Sequence, residues 1–316
     1  MPGRTLTFAH PSAADQSRRM RSRAWQKLSP VLEAYVFLLP VLVVLIGLAA
    51  YPLIDGVWTS FTNREVAKPG SFIGLANFAT LFASQTFRIA ALNSVLLTVG
   101  AVATKTILGL GCAALLTQRF PLRGLVRALA FLPWAVPGLV AALGWRWLFD
   151  EQAGVFNAVL LMTGLSDTPV SWLSDPDTAL VSIGIATVWQ GLPFYMLMFI
   201  AALATVPAEL YEAAAIDGAG AWRRFTRITL PSIADVIGVT VMLSAIWTFN
   251  NFNMVYILTG GGPDDRTQIL PTLAYEYGMR RNLLGQGAAV IVSALPVFLG
   301  IIFLLTRRML REKGVR

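Results

Sequence analysis

Apolar residues fall in six long stretches separated by shorter polar connections, at about 34–54, 89–116, 127–148, 179–204, 234–258 and 285–306. A helix needs roughly 20 predominantly apolar residues to cross a hydrocarbon layer about 30 Å thick. The pattern therefore predicts six transmembrane helices. Pro40, Gly109, Gly111, Pro133, Pro137, Gly191, Pro193 and Pro296 lie within or at the edges of these stretches. In lipid they are tolerated where neighbouring helices satisfy the freed backbone groups, which predicts a packed bundle with kinks. The expected architecture is an all-α membrane domain over 34–306, with basic tails over 1–33 and 307–316. The first apolar stretch starts too late and runs too long for a cleaved signal peptide, so it is expected to remain as the first span.

Composition narrows this picture. The chain has 316 residues, of which 56% are hydrophobic and 13% charged, against roughly 25% charged in soluble domains. The net charge of +8 would suggest nucleic acid in a soluble protein. Here the basic residues sit in connections and tails, so no nucleic-acid role is expected. With the N-terminus placed inside, the tails and the connections near 118–127 and 205–233 carry 17 Lys and Arg, whereas the opposite loops carry six (Arg64, Lys68, Arg88, Arg266, Arg280 and Arg281). That asymmetry predicts cytoplasmic termini. The loop over 149–178 has no basic residue and carries Asp150, Glu151, Asp167, Asp175 and Asp177, which reads as a solvated outer surface. Cys112 and His10 are the only residues of their types, which excludes a disulfide framework and a Cys/His metal site.

The connection between the fourth and fifth stretches is unusual. Val206–Gly218 is followed by a segment ending in Leu230-Pro231. Pro207 suits a first helical position, Glu209 a first turn, and Gly218 a stop. A helix of about ten residues, too polar to span, is predicted at the cytoplasmic face. On these signals alone it reads equally as an interfacial helix that closes a loop. Glu212-Ala213-Ala214, then Gly218, Ile228 and Leu230-Pro231 at fixed spacing, reproduce the EAA motif of ABC importer permeases. Ser60-Phe61-Thr62 with Phe72–Phe78, and Tyr256–Pro263, are similar to segments of the first permease subunit of maltose-type carbohydrate-uptake systems. The resemblance covers about 30–306 and is to the compact six-span members, without the extra spans and large periplasmic domain of the enteric maltose subunit.

This resemblance implies a type I ABC importer permease fold whose loop over 206–231 is a coupling helix, with Glu212, Ala213, Ala214, Asp217 and Gly218 contacting an ATP-hydrolysing subunit. It implies four kinds of partner: a second permease in a heterodimer, two ATPase subunits, a periplasmic or lipid-anchored solute-binding protein, and a sugar-like small molecule. The bacterial inner membrane is the implied location. The chain carries no G-x-x-x-x-G-K-[ST] loop, so ATP and Mg are expected on the ATPase subunits, with no cofactor bound here.

Two stretches offer polar groups for a solute path. One holds Trp247, Phe249, Asn250, Asn251, Phe252 and Asn253; the other runs Trp189–Tyr195 with Gly191 and Pro193 expected to open or bend the helix. Amides in hydrocarbon are costly unless paired, so the asparagines serve either a solute or interhelical bonding and capping. The resemblance places the sugar site on these stretches, giving Gln190, Gly191, Phe194, Asn250, Asn251 and Asn253. Gln190 and Asn253 replace apolar residues of the maltose subunit, which implies a different solute. Lys105 lies about 20 Å along its span from the cytoplasmic end. Intramembrane charges mark functional sites, and the alternative is a lysine set against helix-end carbonyls or a wet crevice. Arg146 lies at an outer span end and can snorkel.

The leading function is thus one half of an ATP-driven import path for a sugar-like solute. An alternative cargo within the same transporter class is an anionic solute: a glycerol-phosphate compound or a sulfonated or phosphorylated glycoside. A membrane-embedded enzyme would need a Ser/His, paired-Asp or metal constellation that the spans lack, and a stand-alone channel would have no use for the coupling loop.

Overall fold

The computed structural model describes residues 32, 34–118 and 120–312. Expectations for the N-terminal tail with His10, for Arg119 and for Lys313–Arg316 lie outside them. The chain divides into two units, ending at Trp58 and beginning at Thr59. The first unit is most of α1 (Ala34–Ser60), an apolar helix with exposed large side chains along Leu38–Ile54 and a π-turn at Ile46–Ala50.

Among the described residues, the regular structure of the second unit is helical apart from two isolated bridges, Thr62 with Phe72 and Glu65 with Lys68. It begins with α2 (Ala76–Ala83) and α3 (Gln85–Thr117). The N-cap of α3 is Ser84, whose side chain accepts from the Phe87 amide, as a cap must to satisfy a free first-turn donor. The stretch expected as one span over 127–148 is instead α4 (Arg123–Ala135) and α5 (Gly138–Leu148), bent by 98°. Pro137 causes this: its ring excludes helical backbone at Val136, which is extended at ψ 125°.

The loop over 149–178, expected as a solvated outer surface, contains the apolar helix α6 (Val155–Met162). Asn157, 2% exposed, organises it. Its amide donates to the carbonyls of Glu151 and Val170 and accepts from the Val170 amide and the Trp172 indole, at 2.9–3.0 Å. Trp172 in turn joins Phe149 and Phe156 in a ring cluster that reaches Trp145. Asn157→Leu keeps the bulk but strands four polar groups, so we expect a loss of about 2–4 kcal/mol. Faster proteolysis within 149–178 would register it.

Next come α7 (Ala179–Leu203), α8 (Ala208–Ile216), α9 (Ala221–Ser232, with a π-turn at Phe225–Thr229), α10 (Ala234–Phe249), α11 (Phe252–Leu258), α12 (Leu270–Tyr275) and α13 (Leu284–Glu312). Contrary to the expected opening at Gly191 and Pro193, α7 runs on as helix through both. The break comes in the stretch expected as a single span over 234–258, where Asn250 and Asn251 separate α10 from α11. Asparagine side chains compete for local backbone groups, and the Asn250 amide does so here by donating to the Ile246 carbonyl at 2.9 Å. A further bend of 68° separates α9 from α10. At the other end, α13 carries helix beyond 306 into the region expected as a tail.

Among the described residues, α1, α3 and α7 are each long and apolar enough to cross a membrane, as are the bent pairs α4–α5 and α9–α10 if each counts as one span, while Leu284–Pro296 is shorter. The unit is built on α3 and α7, with α10 packed against both. Gly109 makes their close approach feasible, since a Cβ there would lie 2.7 Å from Tyr195 Cβ. Small residues at helix crossings in lipid permit this kind of contact. Ala113, Tyr195 and Phe199 fill the crossing. At one end α12 and α13 close against α2 and α3 through Leu81, Phe87, Leu270, Leu273 and Val290. The Thr259–Gln268 turn is pinned to α3 by Asn93, whose amide donates to the Arg266 and Gln268 carbonyls. Asn77 does the same for the chain after α1, donating to the Ser60 and Thr62 carbonyls.

Candidate functional site

Where α3, α7 and the α10–α11 break meet the α4–α5 elbow, a cavity of about 430 Å³ opens. Each element is there for a local reason. Pro137 turns the chain so that Trp134 and Gly138 form one wall, and Asn250 interrupts α10 so that Asn251 reaches another. Of the residues expected in the solute path, Gln190, Gly191, Phe194, Asn251 and Lys105 all line this cavity. Asn250 and Asn253 are exposed and do not.

The wall combines two chemistries. Phe194 and Trp247 meet edge to face with centroids 5.0 Å apart, and Trp134 lies 6.5 Å from Phe194. The polar side carries Thr187, Ser244, Thr248 and Asn251, with the Asn251 amide donating to the Thr187 hydroxyl at 3.3 Å. Lys105 is 3% exposed; its ammonium donates to the Thr248 hydroxyl at 2.8 Å and lies 5.7 Å from the centre of the Tyr195 ring. Gly191 is what lets the lysine pass, because a Cβ there would sit 2.9 Å from Lys105 Cδ. Thr187, Ser244, Thr248 and Trp134 were missed from sequence. Thr187 shares a face of α7 with Gln190 and Gly191, and Ser244 and Thr248 lie one turn apart on α10, a signal that helical spacing could have supplied.

At the opposite end of α7 lies the helix expected from Pro207, Glu209 and Gly218. It is α8, one residue shorter than expected, with Pro207 as the capping residue outside it. Gly218 adopts φ +73° just beyond its end, the left-handed stop that glycine takes at least cost. Glu212, Ala213 and Asp217 face solvent and Ala214 is half-buried. Ile216 at the end of α8 and Trp222 in α9 are 87% and 75% exposed, two large apolar side chains that sequence reading did not single out. The Tyr211 hydroxyl meets the Thr229 hydroxyl at 2.9 Å, tying α8 to α9, and the Arg127 guanidinium caps α3 by donating to the Leu116 carbonyl.

The model of the family described as binding-protein-dependent transport system inner membrane component matches residues 105–311, which include both the cavity and α8. The chain belongs to that family. Among curated proteins, it is 35% identical over 283 residues to the trehalose/maltose transport system permease protein MalF of Thermococcus litoralis, covering 88% of this chain and 94% of that one. It is 33% identical to the diacetylchitobiose uptake system permease protein DasB of Streptomyces coelicolor, covering 93% and 91%. It is 32% identical to the sulfoquinovosyl glycerol transport system permease protein SmoG of Agrobacterium fabrum, covering 99% and 100%. A bacterial ABC transporter involved in import of the acidic polysaccharide alginate has a chain that superposes with TM-score 0.79 at 23% identity, over 92% of this chain and 99% of that one, and so shares the fold. The resemblance read from the loop over 206–231 thus extends to the whole permease, whose relatives serve sugar uptake.

Proposed function

We propose that this permease forms half of the path by which an ABC importer carries a sugar-like solute across the bacterial inner membrane. Its six spans place both termini in the cytoplasm, with α13 as the last of them. The observation that carries the reading is the cavity, which is lined by aromatic rings together with amides and hydroxyls. Aromatic faces cover the C–H surface of a sugar ring while the polar wall bonds its hydroxyls, a division common to small-molecule sites. The relatives named above belong to systems for glycosides, which supports the same solute class.

In this reading the exposed surface of α8 docks on an ATPase subunit, where Glu212 faces a basic group and Ile216 and Trp222 fill apolar pockets. ATP and Mg are bound by two such subunits. A second permease completes the path, and a periplasmic or lipid-anchored binding protein delivers the solute. The chain itself performs no chemistry.

Asn251→Ala tests the solute site. The variant should assemble with its partners yet lose about tenfold or more in uptake, as expected when a well-placed hydrogen bond to cargo is removed. Loss of assembly with unaltered solute selectivity in the residual uptake would instead make Asn251 a structural residue.

A further inference from the structure

The cavity holds a charge that the described residues of this chain do not balance with a carboxylate. Lys105 is 3% exposed and midway along α3, and no carboxylate lines the space it faces. The described groups around it are neutral: Thr187, Gln190 and Tyr195 from α7, Ser244 and Thr248 from α10, and Asn251 at the break. An ammonium has three donors, and one is used here, on the Thr248 hydroxyl. The Tyr195 ring offers its face at 5.7 Å, a cation–π contact that softens the charge without neutralising it.

Isolated buried charge is expensive, so buried ammonium groups are paired or exposed to water. Intramembrane charges accordingly face cavities and mark pathways. Lys105 meets both conditions, with water-accessible space on one side and packed helix on the other. The placement is also built, since Gly191 supplies the absent Cβ that the lysine stem needs in order to pass.

We propose that Lys105 reads an anionic group on the cargo, so that the solute is an acidic sugar bearing a carboxylate, sulfonate or phosphate. This rests on the cavity being the solute site proposed above. The oxyanion accepts from the two unused N–H groups of Lys105 while its ring lies against Phe194 and Trp247. The incoming anion meets an ammonium already buried in the site, so each charge offsets the desolvation of the other. A neutral sugar would leave the ammonium uncompensated.

The test uses the complete transporter in proteoliposomes with its own binding protein, and a panel of matched solutes: maltose against maltobionate, trehalose against trehalose 6-phosphate, and sulfoquinovosyl glycerol. The wild type should import acidic members. Lys105→Met should cut that uptake by about 30-fold or more, the range for removing one partner of a buried charge pair, and Lys105→Arg should restore most of it. Import of neutral members only would overturn the inference while leaving the sugar importer standing. ATP-driven import of no member would defeat the sugar reading itself, and this inference with it. A Lys105→Met protein that fails to assemble, or that loses acidic and neutral uptake alike, would make the lysine a structural support and also overturn the proposal.

Discussion

Glu212→Lys is expected to abolish ATP-driven uptake while leaving the protein in the membrane in normal amount. Glu212 is exposed on α8, a helix with no buried residue. Its replacement therefore has no route to unfolding the helices. Ile216 lies one turn along the same helix, and it and Trp222 of α9 are 87% and 75% exposed. Losing one partner of a docked charge pair costs about 2–5 kcal/mol, and reversing the sign adds repulsion to that loss. A carrier cut off from its ATPase cannot accumulate solute, so the readouts are uptake in membrane vesicles and co-purification of the ATPase subunits. Normal uptake by the variant would remove α8 from the coupling role.

The second large effect concerns the bundle itself. Gly109→Leu places a Cβ within 2.7 Å of Tyr195 Cβ and 3.4 Å of the Phe199 ring, a contact that neither side chain can relieve by rotating at its end. The axes of α3 and α7 must part, and overpacking of this kind costs typically 1–3 kcal/mol and occasionally more. Because α10 rests on both helices, the disturbance reaches the cavity. The expected result is a sharp fall in folded protein extracted from membranes and a lower melting temperature in detergent. Gly111→Leu is the control: nothing lies within 4 Å of that position, so it should behave as wild type.

How much of this was legible in the sequence depends on the range of the forces involved. Apolar runs near span length pick out α1, α3 and α7 because the hydrocarbon thickness sets a local requirement. The ends of α8 were visible for the same reason, since Pro207 and Gly218 act on their own backbone. Pro137 and Asn250 were visible as residues, but not as a 98° elbow and a helix break. In lipid a proline can either kink or break a helix, and the choice belongs to the neighbours. Gly191 and Pro193 were expected to open or bend α7, and the helix runs unbroken through both.

The site shows the same division. Gln190, Gly191, Phe194 and Asn251, which line the cavity, were named because the resemblance places a sugar site on two short stretches, and Lys105 because a charge in a span is conspicuous. That Gly191 exists to let Lys105 pass is a contact between helices 86 residues apart in sequence, and no local pattern encodes it. Asn250 and Asn253 belonged to the same cluster, but helical rotation carries Asn253 away from the cavity, and Asn250 spends its amide on Ile246. The exposure of Ile216 and Trp222 is likewise a tertiary fact, for an apolar residue in a short helix reads as core until the fold leaves it uncovered.

The central claim is that this chain conducts a sugar-like solute only when driven by ATP hydrolysis through partner subunits. Its most direct test is accumulation of radiolabelled solute by proteoliposomes holding the permease pair, the ATPases and the binding protein, with ATP supplied or withheld. The account predicts accumulation against a gradient that requires both ATP and the binding protein and that vanishes in Glu212→Lys. Equilibration of the solute without ATP, or accumulation that survives Glu212→Lys, would contradict it.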